Sequence, residues 1–385
     1  MNTDTKNDVR QPEASGQKRT SINSFLHSNS FMRLLKYSVT RLASLLFSVV
    51  IAIFLTILIA NMGGYVDQIR LGEIREMVVQ SVRGNTANRG LPPEKFQTLV
   101  DDLVYQEAHA QGLDQPLMVR AARYMKKALA LDLGNALRMT SDSGSKQVRI
   151  IILERLPPTL LLWGVSGILL FFIEISVALS ISRKYGSWLD KFFVSMAPFS
   201  TAPGWFYGIF MILIFASYFR ILPFGGMVDA PIPKTTLDYS LSLLKHMILP
   251  TMALTLTSFF LNVYQWRTFF LIYSTEEYVE IAKAKGLSNR AIERDYVLRP
   301  TLPNIITSFA LTLIALWLGG PITETIFQWP GLGRAFYQAV QFYDTPVILG
   351  QTVIYAYMLA FTVFLLDYIY ALVDPRVKIG QGGSS

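Results

Sequence analysis

Six long runs of mostly apolar residues constrain this chain more than any other feature; they lie at about 39–61, 159–181, 192–218, 247–272, 305–327 and 347–372. A helix of about 20 residues crosses the roughly 30 Å hydrocarbon layer of a bilayer. In lipid, each backbone N–H and C=O must find its partner inside the protein, which favours helices over open sheets. The pattern predicts an all-α polytopic membrane protein with six transmembrane helices. With 51% hydrophobic and 16% charged residues, the chain is too apolar for an ordinary soluble domain.

The short loops set the orientation, because Lys and Arg concentrate on the cytoplasmic side. Arg183, Lys184 and Lys191 lie between spans two and three, and Lys283, Lys285, Arg290, Arg294 and Arg299 between spans four and five. Lys18, Arg19, Arg33 and Lys36 precede span one, Arg376 and Lys378 follow span six, and the loop between spans five and six carries only Arg334. Both termini are therefore expected in the cytoplasm. Residues 1–36 read as a disordered tail ahead of span one (37–61), and residues 376–385 as a flexible tail behind the core.

Segment 62–156 is basic yet falls outside, as long loops cross largely regardless of charge. Its apolar positions Phe96, Leu99, Val100, Leu103 and Val104, then Leu117, Ala121, Tyr124, Met125 and Ala128, repeat at helical spacing. The expectation is a helical extracellular insertion, followed by a five-span core over 157–375.

Composition also removes several classes of function. The net charge of +8 is spread among the loops, where lipid head groups account for it, and it forms no stripe for nucleic acid. There is no cysteine, and His27, His109 and His246 are too scattered for a metal cage. No glycine-rich phosphate loop ending in Gly-Lys-Ser/Thr occurs, so ATP would have to bind another chain. No cofactor on this chain is expected.

The loop over 274–300 is not a simple tether. Ser274 and Glu277 have the spacing of a capping box, which predicts a helix starting there. That helix would place Tyr278, Ile281, Ala282 and Lys285 near one face, and Gly286 would end it in a left-handed turn. A second helix would start at Ser288, giving a stiff cytoplasmic elbow.

Within the elbow, Glu280-Ile281-Ala282, three further residues and then Gly286 resemble the coupling-loop signature of ATP-binding cassette (ABC) importer permeases, with Ile281 in place of the usual first alanine. Further short motifs follow in order: Leu113-Asp114-Gln115-Pro116-Leu117, Asp132-Leu133-Gly134, Glu154-Arg155-Leu156-Pro157, Ile221-Leu222-Pro223, His246-Met247-Ile248-Leu249-Pro250 and Gly319-Gly320 with Glu324. Phe327 through Gly333 and Asp367 through Arg376 complete the set. Together they resemble the first permease subunit of the oligopeptide, dipeptide and nickel importers, with the fold of type I ABC importers. Val363 stands where relatives often have asparagine, and the segment 63–93 lacks the Gly-Asp-Pro pattern often found after span one.

The resemblance implies a homologous second permease, two ATPase subunits that bind ATP and Mg, and an extracellular or periplasmic solute-binding protein. It assigns ATPase coupling to Glu277, Tyr278, Glu280, Ile281, Ala282, Lys285, Gly286 and Leu287. The turn formed by Trp329, Pro330, Gly331, Leu332 and Gly333 would be an extracellular docking loop. Short peptides are the implied cargo, with oligosaccharides and nickel complexes as alternatives.

Two carboxylates stand out. Glu174 sits deep in span two, where an acidic residue costs about 2.5 to 3.5 kcal/mol on insertion scales; it either lines a pathway or gate or bonds a neighbouring helix. Glu324, at the outer end of span five, is either a pathway or gate contact or a solvated helix end. Asp367 and Asp374, near the inner end of span six, are expected to pair with arginine.

An ion-coupled transporter is a weaker reading, since no inverted repeat is visible and only one carboxylate lies deep in a span. An intramembrane protease lacks both a serine–histidine pair and paired aspartates.

Overall fold

A computed structural model describes residues 19–62, 64–88, 90–317 and 319–373. Helix α1 is Arg19–Met62, α2 Tyr65–Gly84, α3 Pro93–Ala110 and α4 Leu117–Leu129. The core follows as α5 Val148–Ser182, α6 Trp188–Thr201, α7 Gly204–Tyr218 and α8 Thr236–Ser274. Helix α9 is Glu277–Ala284, α10 Asn289–Ala315, α11 Pro321–Ile326, α12 Leu332–Gln341 and α13 Thr345–Val373. The described residues contain no strand, only an isolated bridge between Asn135 and Gln147.

Helix α1 starts well before the span expected at residue 37, so residues 19–36, read from sequence as tail, are helical. Neither Gly nor Pro interrupts residues 19–62, so nothing local stops the helix once it has formed. Residues 1–18 and 376–385, the rest of the expected tails, lie outside the described residues.

Five helices are long and apolar enough to cross a membrane, and a bent pair makes a sixth crossing if counted as one. That pair is α6 and α7, which meet at 97°, so the uninterrupted span expected over 192–218 is broken. Pro203 is the cause: it pushes the preceding Ala202 into extended backbone (φ −79°, ψ 145°) and lets α7 start afresh at Gly204. Span five, expected to reach residue 327, also ends early. Gly319 takes φ +63°, Gly320 is extended and Pro321 opens the separate helix α11.

Helix α5 starts at Val148, so residues 148–156 belong to a core helix and not to the insertion. Its prolines Pro157 and Pro158 are followed by a wide π-turn over Leu160–Gly164, which accommodates the lost hydrogen bonds without ending the helix. At 1.5 Å per residue its 35 residues run about 52 Å.

The insertion packs on one end of the bundle. Ala121 and Ala128 of α4 share an apolar cluster with Val49, Ile53 and Ile57 of α1 and Val353 of α13. Val148, Ile151 and Ile152 of α5 close a second cluster with Leu332, Ala335, Ala339 and Val347. The opposite end of α5 meets the elbow, where Arg183 Nη1 donates to Glu293 Oε2 at 2.7 Å. Insertion and elbow therefore sit at opposite ends of one long helix.

Candidate functional site

The elbow forms from local rules. Helix α9 opens at Glu277 behind an extended Glu276, and Ser274 remains in the last turn of α8, donating to Leu271 O at 2.8 Å. The expected capping box is therefore absent, because the apolar run of α8 continues through the serine. The far end follows expectation. Gly286 takes φ +75°, its N–H reaches Lys283 O at 2.9 Å, and Leu287 N–H reaches Ala282 O at 3.3 Å, the paired bonds of a Schellman motif. Ser288 Oγ then caps the next helix by accepting from Ala291 N at 3.3 Å.

Val279, Ala282 and Ile292 are buried together, with Tyr296 packed against them. Ala282, which the sequence groups near one face with Tyr278, Ile281 and Lys285, is thus turned into the elbow's own small core. The outward face carries Glu277, Tyr278, Glu280, Ile281, Lys285, Gly286 and Leu287, with Ile281 55% exposed. Tyr278 stacks on Tyr296 with ring centroids 6.4 Å apart. Burial, with Glu276 adding to it, pushes the Tyr278 phenol above its ordinary value, so it stays protonated at neutral pH.

Above the elbow, α5, α8 and α10 enclose an open cavity of about 750 Å³. Its lining mixes aromatic groups such as Trp163 and Trp266 with neutral polar ones such as Thr257, Asn304 and Ser308. Glu174 lies in this lining and is 4% exposed. Its Oε2 accepts from Asn262 Nδ2 of α8 at 3.1 Å, so the helix-to-helix bond and the place in the cavity occur together. Sequence reading missed Asn262, whose polar side chain inside an apolar run was the available signal.

Glu324 is not the solvated helix end that was one expectation: it is fully buried, and it lies outside the lining of this cavity. Its Oε1 accepts from Trp163 Nε1 at 3.0 Å and Thr159 Oγ1 at 3.2 Å, and its Oε2 from Arg334 N at 3.0 Å. The same Thr159 Oγ1 accepts from Leu332 N at 2.6 Å. The carboxylate thereby ties the start of span two to α11 and α12.

This network also buries most of the turn expected as a docking loop. Trp329, Gly331, Leu332 and Gly333 are buried and Pro330 is partly so, with Trp329 Nε1 donating to Pro158 O at 2.8 Å. A Cβ at Gly331 would lie 2.3 Å from Glu324 Oε2, which is why the turn needs glycine there.

Near the C-terminal end of span six Asp367 pairs with Arg41, Nε to Oδ2 at 2.5 Å. The other expected partners, Asp374 and Arg376, lie outside the described residues.

A helical bundle with a cavity and an elbow does not by itself state a function, and comparison with known proteins supplies the family. Residues 165–379 match the family model described as binding-protein-dependent transport system inner membrane component. The chain belongs to that family.

This permease is 31% identical to the probable D,D-dipeptide transport system permease protein DdpB of Escherichia coli (strain K12), over 74% of this chain and 86% of that protein. It is 29% identical to the dipeptide transport system permease protein DppB of Bacillus subtilis (strain 168), over 70% and 82% respectively. The oligopeptide transport system permease protein AppB of the same organism is 26% identical, over 82% of this chain and all of that protein. Among solved structures, a chain of the inward-facing MetNI methionine ABC transporter matches at TM-score 0.45 and 18% identity, covering 60% of this permease and 99% of that chain. The family and these relatives make the chain a membrane permease subunit of a binding-protein-dependent transport system.

Proposed function

We propose that this permease forms half of a pathway for short peptides, driven by ATP hydrolysis on separate subunits. The observation that carries the reading is the mechanical continuity between elbow and cavity. Helices α5 and α8 both line the cavity, α8 leads into the elbow through Thr275 and Glu276, and α5 is pinned to it by Arg183 and Glu293. An elbow with its own buried core moves as a solid body, so a displacement there would reach the cavity walls.

In this reading, the exposed Tyr278, Ile281 and Leu287 seat the elbow in a cleft of an ATPase subunit, which binds ATP and Mg. A homologous second permease supplies the other half of the pathway, and a solute-binding protein delivers cargo from outside. The insertion, residues 62–147, lies on that outer side in this reading, with both termini in the cytoplasm. Peptide cargo is supported by the names of the relatives, which transport dipeptides or oligopeptides.

The test is to purify the permease with the subunits that accompany it and reconstitute the complex with its binding protein in vesicles. ATP-dependent uptake of a labelled short peptide is expected. Uptake of an oligosaccharide or nickel complex instead, with no peptide uptake, would overturn the cargo; absence of any ATPase subunit would overturn the mechanism.

A further inference from the structure

A buried carboxylate without a basic partner needs an explanation, since stripping an ion of water costs several kcal/mol unless something compensates it. Glu174 is such a group. Asn262 is the one donor assigned to it among the described residues, and it supplies a neutral amide to Oε2. Every other residue lining the cavity is uncharged. Arg267, adjacent in sequence to the lining residue Trp266, is already engaged: its Nε and Nη2 each donate to Asp190 at 2.6 Å.

We infer that Glu174 is the cation-selecting group of the cavity, a carboxyl group oriented by Asn262 that favours passing solutes carrying an ammonium or guanidinium group and disfavours anions. The inference rests on the pathway reading above. Low-dielectric walls around a single ionised carboxylate focus its field into the open space, and a cationic solute beside it favours that ionised form. The electron-rich faces of Trp163 and Trp266 in the same lining act in the same direction, since an aromatic face attracts a cation. Asn262 is a positioning residue here, because it fixes one carboxylate oxygen and leaves the other for the solute.

The natural absence of cysteine makes the charge measurable without knowing the cargo. Ser258→Cys places a single thiol of this chain in the lining, one helical turn from Asn262 on α8. In the complete transporter, in membranes, the thiol is exposed to a cationic reagent, 2-(trimethylammonio)ethyl methanethiosulfonate, and to its anionic 2-sulfonatoethyl counterpart. Modification is read by the mass of this chain, with and without a non-hydrolysable ATP analogue. The cation-to-anion rate ratio is expected to fall about tenfold when Glu174→Gln is added, and to stay within about twofold with Glu174→Asp. Both reagents act on the same preparation, so the ratio does not depend on how much protein folds. A ratio unmoved by Glu174→Gln, as for a carboxyl that is protonated or turned away, overturns the inference. Failure of both reagents to reach the thiol in either nucleotide state overturns the pathway reading.

Discussion

Arg267 of α8 holds Asp190 of α6 in a two-pronged fork, Nε to Oδ1 and Nη2 to Oδ2, both at 2.6 Å. The carboxylate side chain is 3% exposed and the guanidinium 11%. Asp190 Oδ2 also accepts from Gly186 N at 2.9 Å, so the turn between α5 and α6 is fastened to the same point. Removing one partner of a buried pair strands the other, at a cost of about 3 to 5 kcal/mol. Arg267→Met alone should therefore lower the unfolding temperature of the purified complex sharply. Adding Asp190→Leu should restore much of the loss. If the double variant is no more stable than Arg267→Met, the fork is not what holds this turn.

Gly286 and Gly331 look alike in sequence but should respond differently to alanine. At Gly286 a Cβ would meet nothing within 4 Å, and the cost is the positive φ alone, about 1 kcal/mol relative to glycine. At Gly331 the φ of −100° suits any residue, yet a Cβ would collide with Glu324 and Thr159. Gly331→Ala should thus destabilise by about 3 kcal/mol, within the range of overpacked cores, and reduce the amount of folded protein. Thermal unfolding of the two variants side by side decides it; equal losses would contradict the geometry.

Within the elbow the consequence should be functional more than structural. Gly286→Val leaves the rest of the chain packed but strains the Schellman turn that orients α9 against α10. Uptake per ATP hydrolysed is expected to fall several-fold at normal expression, with Gly286→Asn closer to the parent because asparagine tolerates the left-handed region. Unchanged uptake by the valine variant would remove the elbow from the coupling mechanism.

Glu324→Gln replaces one acceptor oxygen with an NH2 group in a pocket whose neighbours are donors. Whichever way the amide turns, a donor faces Arg334 N–H or the Trp163 indole N–H, and an unsatisfied buried donor costs about 1 to 3 kcal/mol. Trp163→Phe removes one donor without adding another and should cost less. Unfolding temperatures that rank the glutamine variant above the phenylalanine variant would refute the assignment.

Asp344 is fully buried and accepts from three consecutive backbone N–H groups, Leu137, Arg138 and Met139, at 2.8 to 3.1 Å. Asp344→Asn should loosen that clasp and speed hydrogen exchange over 135–147 by at least tenfold, while exchange in α9 stays as it was. Unchanged exchange in the clasped segment would show that it is held elsewhere.

How much of this was legible beforehand depends on the reach of each interaction. The spans, the helical insertion, the left-handed stop at Gly286 and the cap at Ser288 follow from hydropathy, periodicity and glycine chemistry, which act over a few residues. Ser274 shows where such rules fail. A serine followed three residues later by glutamate fits a helix start, yet the apolar run of α8 extends through it, and a four-residue pattern cannot weigh that.

The sequence by itself determined that the chain is a bundle of long apolar helices with a short, stiff elbow, because the cost of unpaired backbone in lipid leaves few other solutions. Only the tertiary structure decided where the charges went. Glu174 found Asn262 88 residues away, Glu324 found Trp163 at a separation of 161, and Asp344 caught residues more than 200 positions earlier. A carboxylate's role depends on which donors surround it, and those donors arrive from other helices once the bundle has packed.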